Sequence, residues 1–286
     1  MAKPYSIVRF LEYAPYQIQD NEEQFSGIIK FKLKVLTPLH VRSGEQFIDE
    51  RNSIYYAFYK WNDQIAIPGS TFKGCIRTVA ESVSHSCLSG KVKDGGKEYD
   101  TIVPKQEGTK KCIVCDIFGY KGGKSKLSIG QLLLESGTSY TELLPSFKNP
   151  HITQSMLEKN KLIGYKFYHH GKANIVEKGK VPCEVVKPGA IFSGKLHYKC
   201  MTKEELQLLC YALGFTGDIA LKIGYGKPAY YGSVQLVPED SIYEEFACEY
   251  REHRDAGIQE AINELESILN YKYAKVKSEW NEDGTY

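Results

Sequence analysis

Ile67-Pro68-Gly69-Ser70-Thr71-Phe72-Lys73-Gly74-Cys75-Ile76-Arg77-Thr78 holds a turn, a helix start and two cations in twelve residues. Pro68-Gly69 is a turn signal that ends an extended run. Ser70 is placed to cap the helix that follows, its hydroxyl accepting from a backbone N–H of the first turn. Phe72, Ile76, Val79, Ala80 and Val83 recur at helical spacing and predict a face against a core. Lys73 and Arg77 lie four apart on another face, near a helix N-terminus whose free N–H groups attract anions. Two readings stay open for this pair: a phosphate site, or solvated charges on an amphipathic helix.

Working outward, the residues around this helix spell a mixed fold. Upstream, Ile29, Phe31, Leu33 and Val35 alternate with Lys30, Lys32 and Lys34, predicting a half-buried strand with a basic outer face. A loop from Arg42 to Asn52 and a second extended run, Ile54 to Ile67, lead into the helix. Downstream, Gly90 to Lys111 is rich in Gly and Lys and reads as an exposed loop. Leu127, Ile129 and Gln131 to Leu134 predict another strand, and Ala190 to Tyr198 alternates again. Thr202-Lys203-Glu204-Glu205 is a capping box that opens a helix with Leu206, Leu209, Cys210 and Leu213 inward. Val234 to Val237 closes the series as a strand. Strand, helix, strand, strand, helix, strand predicts an α+β class with a ferredoxin-like core, the order also found in RNA-recognition folds.

The expected organisation is one domain over residues 1–238, with insertions at about 84–126 and 136–183, then an acidic helical tail over 239–286. The second insertion, Ser136 to Cys183, has poor periodicity. In the tail Ile258, Ala261, Ile262, Leu265, Ile268 and Leu269 form one helical stripe, suited to packing on its own domain or on a neighbour. Net charge is +2 over 286 residues, and it hides an asymmetry. The tail holds 13 acidic and 5 basic residues; residues 1–238 hold 22 and 32. A body near +10 beside a tail near −8 suits a polyanion-binding domain with a separate appendage.

No apolar run approaches the length of a membrane span, and the N-terminus lacks an apolar leader core. Eight cysteines in a chain that needs no disulfide staples predict a reducing, cytoplasmic setting. Cys112-x2-Cys115 brings two thiolates onto one ion, and His85-x-Cys87 offers a second ligand pair across the Gly/Lys loop. Together they predict a closed tetrahedral zinc site of structural type. Cys75, Cys183, Cys200, Cys210 and Cys248 read as small core residues. Gly119 to Ser125 is one residue short of a phosphate-binding loop, and Gly224-Tyr225-Gly226 lacks the third glycine of a dinucleotide fingerprint.

Four stretches, in order, resemble the RAMP proteins, the RNA-binding backbone subunits of type III CRISPR effector complexes. They are Thr37 to Gly44, Pro68 to Arg77, Cys112 to Gly119 with its CxxC and IFG, and the glycine-rich loop Lys222 to Val234. Gly164 to His170 is similar to a segment of a zinc-containing branch. The resemblance implies a subunit that grips CRISPR guide RNA by its backbone and meets target RNA, related RAMP subunits and the large subunit of the complex. The implied RNA contacts are Arg42, Ser43, Gly44, Ser70, Lys73, Arg77, Gly224, Gly226, Lys227 and Tyr231. Aromatic rings in that loop offer stacking platforms. Some members of the family cut target RNA with an aspartate in the loop before the Pro-Gly-Ser turn. Asp49, beside Glu45 and Glu50, stands nearest to it here, and a cutting subunit would add a divalent cation such as magnesium. The competing class is an endoribonuclease acting alone, metal-dependent or guide-processing, with His40 or His169 as general base.

Overall fold

The computed structural model describes residues 3–48, 52–87, 92–94, 97–101, 111–147, 152–172, 177–252 and 254–276. The chain opens with β1 (Tyr5–Arg9), β2 (Phe25–Val35), β3 (Arg42–Ile48), β4 (Ile54–Phe58), β5 (Lys60–Trp61) and β6 (Gln64–Ile67). Helix α1 (Gly69–Ser82) follows, then β7 (Val92–Asp94), β8 (Lys97–Tyr99) and the short α2 (Ile113–Phe118). Next come β9 (Leu127–Ile129), β10 (Leu132–Ser136), β11 (Ser139–Leu144), β12 (Leu157–Glu158), β13 (Lys161–Leu162), β14 (Gly164–Tyr168), β15 (Val181–Val186) and β16 (Ile191–Met201). The chain continues through α3 (Lys203–Ala212), β17 (Leu221–Lys222), β18 (Ser233–Pro238), α4 (Ile242–Glu252) and α5 (Ala256–Leu269).

The main sheet runs β17-β18-β2-β16-β10-β6-β5, with β9 pairing the far half of β16. β2 is central because its alternation is strict: Ile29, Phe31, Leu33 and Val35 are fully buried, while Lys30 and Lys34 are exposed. Its buried face meets α1 directly, with the rings of Phe31 and Phe72 stacked 5.4 Å apart. A second sheet, β11-β15-β4-β3, carries the segment that sequence periodicity leaves without pattern. Its strands are short and partnered across the chain, as where β15 meets β4 in parallel at Cys183 and Tyr56. β14 instead pairs with β1 near the N-terminus.

The helix start differs from expectation. Ser70 does not cap α1: the helix begins at Gly69, Pro68 precedes it, and no side chain makes a cap bond. The first turn closes through Phe72 N–H to Pro68 O at 3.1 Å. Gly69 is needed for close approach, since a Cβ there would lie 2.2 Å from Ile129 O. The Thr202 capping box forms as read, Glu205 N–H donating to the Thr202 hydroxyl and Thr202 N–H to the Glu205 carboxylate. Cys200 and Cys248 are exposed rather than core.

The tail folds back. Ala247, Tyr250 and the α5 stripe from Ile258 to Leu269 share one apolar cluster with α1 and α3. Tyr250 Oη donates to Val83 O at 2.7 Å, and Arg254 reaches Gln207 on α3 at 2.7 Å. No helix among the described residues is long and apolar enough to cross a membrane.

Candidate nucleic-acid interface and metal centre

Two faces of α1 look onto different surroundings. Phe72, Ile76, Val79 and Ala80 face the core. Lys73 and Arg77 turn toward the loop that carries α2. Lys73 Nζ donates to Ser125 Oγ at 2.7 Å, and Arg77 donates to Glu81 at 2.8 Å and to Gly119 O at 2.9 Å. Both cations, expected on a phosphate, are held in internal contacts that tie α1 to the end of α2. Burial lowers the Lys73 pKa, with Arg77 adding repulsion.

The α2 segment is a thiol knuckle. Cys87, Cys112 and Cys115 are buried, with Cys87 Sγ 3.5 Å from Cys112 Sγ and 3.3 Å from Cys115 Sγ. Cys112 precedes α2, and its sulfur accepts from Cys115 N–H at 3.4 Å. All three sulfurs lie within 4.8 Å of one another, so they fit a single ion. Zinc–sulfur bonds of about 2.3 Å in tetrahedral array put sulfurs on the order of 3.8 Å apart, close to this spacing. Hydrogen bonds from Cys115 and Cys87 pull the Cys112 thiol well down, while the contacts Cys87 makes with Cys112 and Cys115 push its own thiol up. His85 is corrected as a ligand. Its Nδ1 lies 2.6 Å from Glu12 O and its Nε2 3.1 Å from Asp255, so both ring nitrogens are spent elsewhere.

The knuckle is clamped to α3 by buried charge. Lys126 Nζ lies 2.9 Å from Asp116 of α2 and 2.6 Å from Glu205 of the capping box, and Lys111 also reaches Asp116. Burial pushes the Glu205 carboxyl up to about 7. Removing one partner of such a cluster strands the others in a poor dielectric. Lys126→Met is expected to destabilise the chain by about 3 kcal/mol, read as a fall in the urea midpoint at constant slope.

The glycine loop between β17 and β18 is tightly built. Gly224, Gly226 and Gly232 all have positive φ, and a Cβ on Gly224 would lie 2.2 Å from His40 O. Tyr225 N–H donates to that same carbonyl at 2.9 Å, fastening the loop to the segment before β3. There Arg42 is exposed, with its guanidinium 4.0 Å from the Tyr225 ring centre and 5.0 Å from that of Tyr56. Ser43 Oγ donates to Ala57 O, and Gly44, at φ +90°, has open space where a Cβ would stand.

A family model described as the RAMP superfamily matches residues 32–235. The chain belongs to the RAMP superfamily. A cryo-EM structure of the type III-B Cmr-beta bound to cognate target RNA is similar at 11% identity and a TM-score of 0.41, covering 74% of this chain. This chain spans 59% of the length of that one. No curated protein matches the sequence.

In this RAMP protein the residues expected to touch RNA part company. Arg42, Ser43, Gly44, Gly224, Gly226 and Lys227 cluster about the glycine loop and β3. Ser70, exposed, and the internally bonded Lys73 and Arg77 sit on α1. Tyr231 is corrected as a stacking residue: it is fully buried in a small core with Leu144, Cys183 and Val185. His40 is fully buried, its Nδ1–H donating to Glu184 O at 2.6 Å, and burial lowers its pKa. His169 lies 3.0 Å from Ser6 Oγ. Asp49, Glu50 and most of the Gly90 to Lys111 loop lie outside the described residues. Sequence reasoning missed Tyr56, whose ring takes part in holding Arg42; its place on a strand two residues from buried Phe58 was the available signal.

Proposed function

We propose that this RAMP protein is a guide-RNA-binding subunit of a type III CRISPR ribonucleoprotein that meets target RNA and assembles with related subunits and a large subunit. The observation that carries this reading is Arg42, an exposed guanidinium laid over two tyrosine rings beside an open glycine. A guanidinium held over rings by cation–π attraction stays at the surface with donors for a phosphate. Gly44 lets backbone approach closely, and half-buried Lys227 adds a cation. The charge asymmetry between body and tail supports a polyanion partner. Along the sheet, β18-β2-β16-β10 is the fourth, first, third and second strand of the predicted series, which supports the ferredoxin-like reading of the core.

The enzyme acting alone is less well supported. His40 is buried beyond reach of a substrate. Target cleavage through Asp49 rests on the resemblance alone. For the knuckle, we infer zinc held by Cys87, Cys112 and Cys115, cross-linking the end of α1 to α2. The soft, closely set donors support that ion.

The chain purified from its native host should carry RNA, and sequencing should return guides with a repeat-derived tag. Absence of any such tag would sink the reading. Changing Arg42 and Lys227 together to Ala is expected to weaken binding equally for all guide sequences. It should also flatten the salt dependence by about two phosphate contacts. An unchanged slope would remove both residues from the interface.

A further inference from the structure

Between α1, β14, β17 and the end of α5 lies a cavity of about 300 Å³ whose lining includes Lys166, Lys222 and Lys227 and, among the described residues, no carboxylate. Lys222 is 6% exposed, and among the described residues its Nζ has one hydrogen bond, to Ser233 Oγ at 3.2 Å. That hydroxyl is already committed. His170 Nε2 faces the carbonyls of Ala220 at 3.2 Å and Leu269 at 3.1 Å, so it carries the ring proton. His170 Nδ1 must then accept from Ser233, 2.8 Å away, leaving only the serine lone pair for Lys222. A buried ammonium with no opposing charge is costly, and the shared hydroxyl does little to offset it. Burial and the nearby Lys227 push the Lys222 pKa well down. Lys166 lies over the rings of Tyr5, at 4.0 Å, and Tyr168, at 4.9 Å. Lys227 makes no ion pair among the described residues.

Thr71 and Thr78 add hydroxyls to the cavity lining, and Val79 of the same helix, with Phe167 and Ile223, supplies its apolar wall. Its volume is at the small end of ligand pockets, which run from about 300 to 1,000 Å³. It therefore suits one nucleotide-sized group better than a tracked length of chain.

We propose that this cavity binds a phosphate monoester of mononucleotide size, its phosphoryl group against the three lysines and its sugar or base against the apolar wall. Such a group comes from two sources, a free nucleotide or the phosphorylated end of an RNA. The site shares Lys227 and Gly224 with the proposed RNA surface but not Arg42, so the two readings fail separately.

Calorimetry on the full chain would use inorganic phosphate, AMP, adenosine and an RNA oligonucleotide with and without a 5′-phosphate. AMP should bind about ten-fold or more tighter than adenosine, and Lys222→Met should weaken AMP by a similar factor. Arg42→Ala should leave AMP binding unchanged. Displacement of AMP by the 5′-phosphorylated RNA alone would identify an RNA end as the source; AMP undisturbed by it would identify the free ester. The proposal is overturned if neither AMP, phosphate nor the phosphorylated RNA binds in a Lys222-dependent way.

The wild-type chain supplies a reading independent of how the variant folds. Pyridoxal 5′-phosphate is a phosphate monoester that carries an aldehyde. A cavity lysine amine adds to the aldehyde carbon, water leaves, and hydride from added cyanoborohydride reduces the imine to a stable amine. Peptide mass mapping should find the adduct on Lys222 or Lys166, suppressed by AMP. Label spread over exposed lysines and indifferent to AMP would equally overturn the site.

Discussion

Cys112→Ser is expected to release the bound metal from the purified chain and to unfold the knuckle around it. Wild-type protein prepared without chelator should carry about one zinc per chain by elemental analysis, and the variant close to none. Cys112 is the sulfur to remove because serine in its place keeps an acceptor for the Cys115 N–H at the start of α2 while deleting the thiolate, so the change reads on the metal. The effect should be large. Structural zinc sites in small peptides bind with about 10–16 kcal/mol of apparent free energy, which is folding free energy there. Here the knuckle is also held by Lys126, Asp116 and Glu205 and by Arg77 on Gly119 O, so the rest of the fold should survive. Amide exchange should rise in 111–125 while β2 and β16 stay protected. Wild-type protein without metal, or a variant with full zinc, would refute the assignment.

The second large effect is acid sensitivity through His170. Burial, then Lys222, lowers its pKa to about 3, against the carbonyls of Ala220 and Leu269. In the unfolded chain the ring titrates near its ordinary value of about 6.5. The folded value is the depressed one, so the unfolded state binds the extra proton between these limits. The contribution of His170 is thus complete above pH 6.5 and is lost as pH falls toward 3. The slope approaches about 1.4 kcal/mol per pH unit, for a total on the order of 5 kcal/mol. Other groups titrate over the same range, so the comparison is with His170→Gln. Urea unfolding at several pH values between 7 and 4 should show wild type ahead by a margin that shrinks on acidification. A margin independent of pH would mean the ring is not held neutral.

Several roles that depend on near neighbours were legible in the sequence, although the local cap expected of Ser70 did not form. The β2 alternation, the apolar face of α1 and the Thr202–Glu205 box are each decided within a few positions, by strand or helix period and local hydrogen bonding. The Cys112-x2-Cys115 pair was legible for the same reason, since that spacing turns both sulfurs inward at a helix start. Its partner was harder. Cys87 and His85 are two residues apart, yet only the cysteine reaches the knuckle. His85 is taken by Glu12, 73 positions away, and Asp255, 170 positions away.

Charge was the least legible property. Lys73 and Arg77 present the same pattern whether they face phosphate or protein, and only the docking of the 117–125 segment against α1 turned them inward. Lys222 and Lys227 belong to one glycine-rich loop, yet Lys222 is buried and Lys227 half-exposed, because β17 pairs with β18 and carries Lys222 under the sheet edge. Tyr231 was drawn into the second small core by strands β11 and β15, which local periodicity did not mark. The sequence by itself therefore determined the six core elements and the thiol pair, set by local period and spacing, and its motifs carried the resemblance to the family. The tertiary structure alone decided which cations remain free, which histidines are neutral and where a lysine-lined cavity opens, because those depend on contacts between residues far apart in the chain.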